Sequence, residues 1–310
     1  MKILNQEIKE GETYQLAVEI ARLPSRTQIE IPVIVSRAMH PGPVVLLTAG
    51  LHGDEINGVE ILRRIIAQDF HKPLRGTIIT IPLVNIYGFL NYTRELPDGK
   101  DINRMFPGSM KGSLASRIAY RLMHDIIPFI DFGIDFHTGG ESRANFPQIR
   151  CYFGDSFSHN LAKVFHAPFT LNSNYREKSF RKSAFKSGKN IILFEGGESM
   201  RLDEFVINEG VNGTLRVLNH FNMSMENPLL NMPSVIIKKS FWVRARFSGI
   251  FQPVIENGTY IRKNEIIGSI KSPFGDFEKF IRAPANSYVI CINNFPLVTV
   301  GEALFHLGMA

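Results

Sequence analysis

Cysteine is nearly absent from this chain: Cys151 and Cys291 are the only two among 310 residues, and neither belongs to a CxxC pair. Two isolated thiols cannot build a disulfide framework, so a reducing cytoplasm is the expected compartment. No apolar run approaches the roughly 20 residues that a membrane span requires. The opening MKILNQEIKEGE has neither the apolar segment nor the small-residue cleavage site of a secretory leader. The signature of disorder is missing too, because 44% of residues are hydrophobic and only 21% charged. What is left is a globular chain long enough for one large core or two unequal ones.

Charge of one sign is only slightly in excess. Lysine and arginine total 35 against 29 acids, a formal charge of +6. Much of the surplus lies between Arg143 and Lys189, including Arg150, Arg176, Arg181 and Lys182. Aromatic residues accompany it, but no nucleic-acid-binding motif does. Attraction of a small anionic substrate is the simpler expectation, with neither nucleic acid nor membrane as partner.

Residues 1–40 read as β structure, with TYQLAVEI and TQIEIPVIV bounded by the turn-forming PSR and HPGP. A rhythm of apolar strand, polar loop and amphipathic helix follows. PVVLLTAG is a buried strand by its continuous apolar run. After it, Ile56, Val59, Leu62 and Ile66 recur at helical spacing. TIITIPLV, FGIDF and NIILF are further strands, and Leu114, Ile118, Leu122 and Ile126 mark another helix. SFSHNLAKVFHA and EFVINEGVNGTLRVLNHF also read as helices. Strands alternating with helices predict an α/β fold, a mostly parallel mixed sheet flanked by helices. From Ser234 onward only short β segments occur, separated by NG, SPFG, RAPAN and NNFP. The chain therefore divides into a catalytic part, 1–228, and a small barrel-like all-β part, 229–310, with the boundary at about residues 224–233.

Polar residues with metal chemistry stand where strands are expected to end. His52 and Glu55 follow PVVLLTAG, His137 closes FGIDF, and Glu195 closes NIILF. In open α/β sheets, binding sites form beyond the carboxyl ends of the strands, so residues distant in sequence can converge there. Catalytic zinc takes three protein ligands from histidine and carboxylate and leaves the fourth position for water. His52-x-x-Glu55 supplies two from one tight loop, with Gly53 permitting the turn, and His137 supplies the third for one zinc ion per chain. Glu195, followed by Gly196 and Gly197, is the candidate to accept the water proton and deliver it to a leaving amine. Each residue alone is ordinary: an HxxE pair arises by chance, a strand-end histidine is usually hydrogen-bonded, and a lone glutamate can be a surface acid. The arrangement is what argues for chemistry.

A long loop, NIYGFLNYTRELPDGKDINRMFPGS, has almost no periodicity and is too polar for a plain connector. In it, Asn103 and Arg104 can bind a substrate carboxylate, the arginine through its planar fork of donors. Arg94 can stabilise an oxyanion. Asp101 can accept a hydrogen bond from the far nitrogen of a metal-bound His52, a task for which Asp135 is the other candidate.

The stretches AGLHGDEINGVE, RELPDGKDINRMFPG, IDFHTGG and ILFEGG closely resemble the succinylglutamate desuccinylase/aspartoacylase family, in the right order over roughly residues 40–220. The resemblance implies a zinc enzyme related to the metallocarboxypeptidases. It implies His52, Glu55 and His137 as ligands, Glu195 as general base, Arg94 at the oxyanion, and Asn103 with Arg104 at a carboxylate. The tail also resembles a biotinyl- or lipoyl-carrier barrel, but the hairpin region Ala283 to Tyr288 holds Ser287 and no lysine. A covering role at the mouth of the site is therefore expected of it. Arg143, Arg150, Tyr175 and Arg176 are further anion-binding candidates. The substrate class that follows is a small N-acyl amino acid. A carboxypeptidase-like peptidase and a catalytically silent metal-binding scaffold are the alternatives, and a homo-oligomer is possible through the β-rich tail.

Overall fold

A computed structural model describes residues 1–22, 25–230 and 232–310. The turn expected at Pro24, and Asn231 within the expected boundary segment, lie outside them. Two long strands, β1 (Thr13–Arg22) and β2 (Gln28–Arg37), open the chain and pair antiparallel. The α/β part follows: β3 (His40–Ala49), α1 (Ile56–Ala67), β4 (Arg75–Ile81), α2 (Ile86–Asn91), α3 (Leu114–Asp125), β5 (Phe132–Gly139) and β6 (Arg143–Cys151). It continues through α4 (Ser156–Phe165), β7 (Phe169–Asn172), α5 (Phe180–Lys186), β8 (Asn190–Glu198) and α6 (Glu204–His220). The remaining strands of more than two residues are β9 (Val235–Ile237), β10 (Lys239–Arg244), β11 (Gly249–Pro253), β12 (Ile266–Lys271), β13 (Glu278–Arg282), β14 (Ser287–Asn293) and β15 (Ala303–Met309).

One mixed sheet organises the molecule, in the order β10-β15-β14-β6-β8-β5-β3-β4-β2-β1. Its centre, β8-β5-β3-β4, is parallel. The flanks are antiparallel, and β14 lies directly against β6. A separate antiparallel sheet holds β11, β12 and β13. Alternation along the central strands explains why helices cover both faces. Val45, Leu47 and Ala49 point into a core with Ile61, Leu62 and Ile65 of α1 and with residues of α4 and α6. Leu46, between them, points the other way, into a core with Ile118 and Leu122 of α3 and Phe180 of α5. Each such side chain, fully buried, stabilises the fold by about 1.5–3 kcal/mol.

Two details differ from the sequence reading. β5 and β8 do not stop at His137 and Glu195 but run on to Gly139 and Glu198. The register of β8 slips after Glu195, where Gly197 adopts a φ of +76°. Glu195 thus sits at a break in register, a place where strands re-aim a side chain. The second difference is that β6, β7 and α5 emerge from the stretch between His137 and Glu195, where only the helix at SFSHNLAKVFHA, now α4, was read from the sequence.

Candidate functional site

The LHGDE loop leaves β3 through Gly50, whose φ of +62° suits glycine. Gly53 is fixed by proximity: a Cβ there would stand 1.9 Å from the carbonyl carbon of Gly88 in α2. This tight packing turns His52 and Glu55 back over the sheet. β5 lies parallel beside β3, with Ala49 opposite Phe136, so His137 emerges next to the loop. His52, Glu55 and His137 then converge, each offering one donor atom within 4.8 Å of the others. Glu55 Oε1 is 2.7 Å from His52 Nδ1, and Glu55 Oε2 is 2.8 Å from His137 Nδ1. The backbone N–H of Thr138 also donates to Glu55 Oε2 at 3.0 Å.

The far ring nitrogens are held as well. His52 Nε2 lies 3.2 Å from Asp101 Oδ1, and His137 Nε2 lies 2.8 Å from Asp135 Oδ2. Sequence left Asp101 and Asp135 as alternatives; in the structure each orients a different histidine. Asp135 is itself fixed by the Thr48 hydroxyl, which donates to Oδ1 at 2.7 Å. A carboxylate beside each Nε2 can accept its proton, the arrangement that favours the tautomer turning Nδ1 towards Glu55 as a donor atom for a metal.

Burial alone would push the Glu55 carboxyl up, but His52 and His137 outweigh it and hold it well below the usual range. Burial alone would pull His137 down, yet Asp135 and Glu55 raise it well above an ordinary imidazole. His52 is raised in the same sense by Glu55 and Asp101. Three carboxylates, two imidazoles and the Arg94 guanidinium are thus packed around one point. His52 Nδ1 is buried without a hydrogen bond of acceptable geometry, despite its 2.7 Å approach to Glu55. A close contact without a usable proton angle, in an all-Nδ1 and carboxylate donor set, fits a metal ligand.

Glu195 projects from β8, directly across from His137 in the pairing register. Its Oε2 accepts from Asn145 Nδ2 at 2.9 Å and pairs with Arg150 Nη2 at 2.8 Å, both from β6. Oε1 is left to face the cleft. Asn145 was not singled out by sequence, and Arg150 only as an anion-binding candidate. Their relation to Glu195 depends on β6 pairing with β8, which no local pattern announces.

The arginine loop is built from Asn85, which caps α2 and donates through Nδ2 to the Arg94 carbonyl at 3.1 Å. Arg94 bridges the site: Nη1 reaches Glu55 Oε1 at 3.0 Å and Nη2 reaches Asp101 Oδ2 at 2.9 Å. Asp101 also accepts from the Asn103 N–H at 2.7 Å, opening a short 3-10 turn over Ile102–Arg104. Asn103 Oδ1 accepts from the Phe180 N–H at 2.9 Å, which turns its amide nitrogen into a donor for the cleft. Arg104 donates to the Asn103 carbonyl at 2.8 Å and is otherwise turned to the cleft.

The His52–Glu55–His137 set, Glu195 with its two partners, and Arg94, Asn103 and Arg104 line one cleft of about 490 Å³, together with Arg143, Arg176, Arg181, Trp242 and Cys291. Tyr175 does not line it; its ring packs on Phe185 at 4.6 Å beneath the Arg181 guanidinium. Trp242 and Cys291 come from the β-rich tail and were not singled out as site residues by sequence.

Comparison with known proteins bears on this geometry. The model of the succinylglutamate desuccinylase/aspartoacylase catalytic domain matches residues 41–221, more than half of the chain. The chain belongs to this family. N-alpha-acetyl-L-2,4-diaminobutyric acid deacetylase of Halomonas elongata is 26% identical over 263 residues, covering 78% of this chain and 74% of that protein. Two solved structures share the fold at a TM-score of 0.87. One is the ectoine utilization protein EutE (DoeB) of Ruegeria pomeroyi, 22% identical and covering 97% of this chain and 96% of that one. The other is a succinylglutamate desuccinylase/aspartoacylase of Rhodobacter sphaeroides, 24% identical and covering 100% and 99%. Among the described residues, no helix is long and apolar enough to cross a membrane.

Proposed function

We propose that the chain is a zinc-dependent hydrolase that cleaves the amide bond of an N-acyl amino acid. The observation that carries the reading is the His52–Glu55–His137 donor set with Glu195 beside it. Family membership supports it, and so does the named activity of the Halomonas relative on an N-acetylated amino acid.

His52 and His137 through Nδ1, with Glu55, would hold the ion. When bound, zinc lowers the pKa of a coordinated water and polarises the scissile carbonyl. The protein residues do the rest. Asp101 and Asp135 keep both imidazoles in the tautomer that presents Nδ1. Arg150 and Asn145 pin one oxygen of Glu195, so the other accepts the proton of the attacking water and returns it to the leaving nitrogen. Arg94, anchored on Glu55 and Asp101, keeps two of its five N–H donors for the developing oxyanion. Asn103 Nδ2 and Arg104 receive the substrate carboxylate.

The direct test is an amine-release screen of zinc-loaded and chelator-treated protein against N-acetyl and N-succinyl amino acids. Release from at least one compound, abolished by chelation and restored by zinc, is expected. No release across the panel, or release indifferent to the metal, would count against the proposal. Arg104→Ala should raise KM about 10- to 100-fold for carboxylate-bearing substrates, the loss of one charge-assisted contact, with little change in kcat. Equal damage on the matching amides, which lack that carboxylate, would remove Arg104 from the carboxylate site.

A further inference from the structure

The small sheet of β11, β12 and β13 leaves one strand open along its whole length. β13 pairs with β12 on one side, with Phe280 opposite Ser269 and Glu278 opposite Lys271. Among the described residues no strand pairs with its other side, and the sheet's far edge is only the two-residue strand Leu297–Val298. An open edge presents unpaired N–H and C=O groups, which another chain can use. The two ends of β13 show which of its groups these are. The Phe277 carbonyl accepts from the Ser272 N–H at 3.1 Å, and the Ala283 N–H donates to the Glu265 carbonyl at 2.9 Å. Backbone groups alternate in direction along an antiparallel strand. Phe277 and Ala283 both turn towards the β12 side, so Lys279 and Ile281 do as well, and Glu278, Phe280 and Arg282 turn theirs outward.

Side chains follow the same alternation. Phe277, Ile281 and Ala283 pack into the small core, whereas Glu278, Phe280 and Arg282 are exposed. Phe280 is 58% exposed, and Phe274, in the hairpin between β12 and β13, is 91% exposed. Charges on an edge usually guard it, but here their order selects a partner. The strand Glu278-Lys279-Phe280-Ile281-Arg282 has an acid at one end, a base at the other and an aromatic ring between them. When two copies pair antiparallel about Phe280, Glu278 meets the partner's Arg282, Phe280 meets the partner's Phe280, and no like charges stand directly opposite. Opposite charges and aromatic pairs across strands stabilise, and like charges destabilise. Glu278 Oε1 lies 3.3 Å from Lys271 Nζ, and Arg282 Nη1 donates to the Asn264 carbonyl at 2.9 Å. Glu278 Oε2 and Arg282 Nη2 have no hydrogen bond among the described residues.

We propose that two copies of this chain join through β13, antiparallel about a twofold axis at Phe280, so that the small sheet runs on from one protomer into the other. The same patch serves both sides, as a twofold dimer requires. Glu278, Phe280 and Arg282 exchange backbone N–H···O bonds with the partner's Arg282, the partner's Phe280 and the partner's Glu278. The ends of the main sheet lack this match. β10 carries Lys239 and Arg244 and no acid, so self-pairing about its centre sets cation against cation. On β1, the Ile20 carbonyl is already taken by the Arg117 side chain of α3. A strand of five residues makes a small interface, so the dimer is a reversible one.

Sedimentation of the full chain over a dilution series provides the test. A monomer–dimer equilibrium is expected. Glu278→Arg sets like charges against each other at both ends of the paired strands, and Arg282→Glu does the same. Each should raise the dimer Kd at least about tenfold. Glu278→Arg combined with Arg282→Glu restores opposite signs and should bring Kd back to within about threefold of its original value. Recovery in the double variant separates lost pairing from lost folding. A chain that is monomeric throughout overturns the proposal and leaves the edge to a different partner. A dimer indifferent to Glu278→Arg, a double variant that stays dissociated, or an assembly that grows beyond two copies overturns it as well.

Discussion

Replacing Glu195 with glutamine should leave the metal in place and remove most of the turnover. The glutamine carbonyl oxygen can still accept from Asn145 and Arg150, which now hold Oε2 at 2.9 and 2.8 Å, so the side chain keeps its position. That pairing directs the amide NH2 into the cleft, where a proton acceptor is required. General acid–base catalysis contributes typically 10²–10⁴-fold, and a fall of about that size in kcat is expected. Elemental analysis and steady-state kinetics on the same preparation decide the matter. A variant that loses its zinc would make Glu195 a ligand, and one that keeps near-normal turnover would leave the proton transfer to another group.

His137→Ala should have the larger effect on the protein itself. It removes one of three donors, so zinc content should fall at least about tenfold, beyond what loss of a supporting residue costs. It also strands two buried carboxylates. Asp135, 1% exposed, would keep only the Thr48 hydroxyl, and Glu55 would lose its 2.8 Å partner. Breaking a buried pair costs about 3–5 kcal/mol, so a lower melting temperature should accompany the metal loss. Far-UV circular dichroism at low temperature separates the two by showing whether the fold persists. A folded variant with undiminished zinc would take His137 out of the ligand set.

The legible parts of this molecule were those written locally. The continuous apolar run before His52 announced a buried strand, and the spacing of Ile56, Val59 and Leu62 announced the helix after it. His52, Glu55, His137 and Glu195 stood out because each lies at or just past the apolar run of a strand, and parallel neighbours bring those ends together. What stayed hidden depended on pairing between distant segments. Nothing in RANFPQIRC says that it will lie antiparallel to the strand of Glu195, so the grip of Asn145 and Arg150 was not legible. The split of duties between Asp101 and Asp135 was hidden for the same reason, since it depends on which ring nitrogen each approaches. Trp242 entered the cleft wall only because β14 continues the main sheet beyond β6.

That continuation has a consequence for how the chain can be divided. The outer edge of β6, the strand that grips the general base candidate, is shared: β14 covers its start, where Cys291 opposes Asn145 and Asn293 opposes Arg143, and β7 covers Gln148 to Cys151. Trimming the chain to its family-matching stretch would bare the Arg143–Asn145 part of that edge, leaving unpaired N–H and C=O groups ready to recruit a neighbouring molecule. Asn145, which donates to Glu195, would then sit at a frayed border, while Arg150 keeps Leu171 of β7 as its neighbour. The β-rich tail is thus scaffolding for the strand that holds Glu195 as well as a wall of the cleft, so the two regions share one sheet.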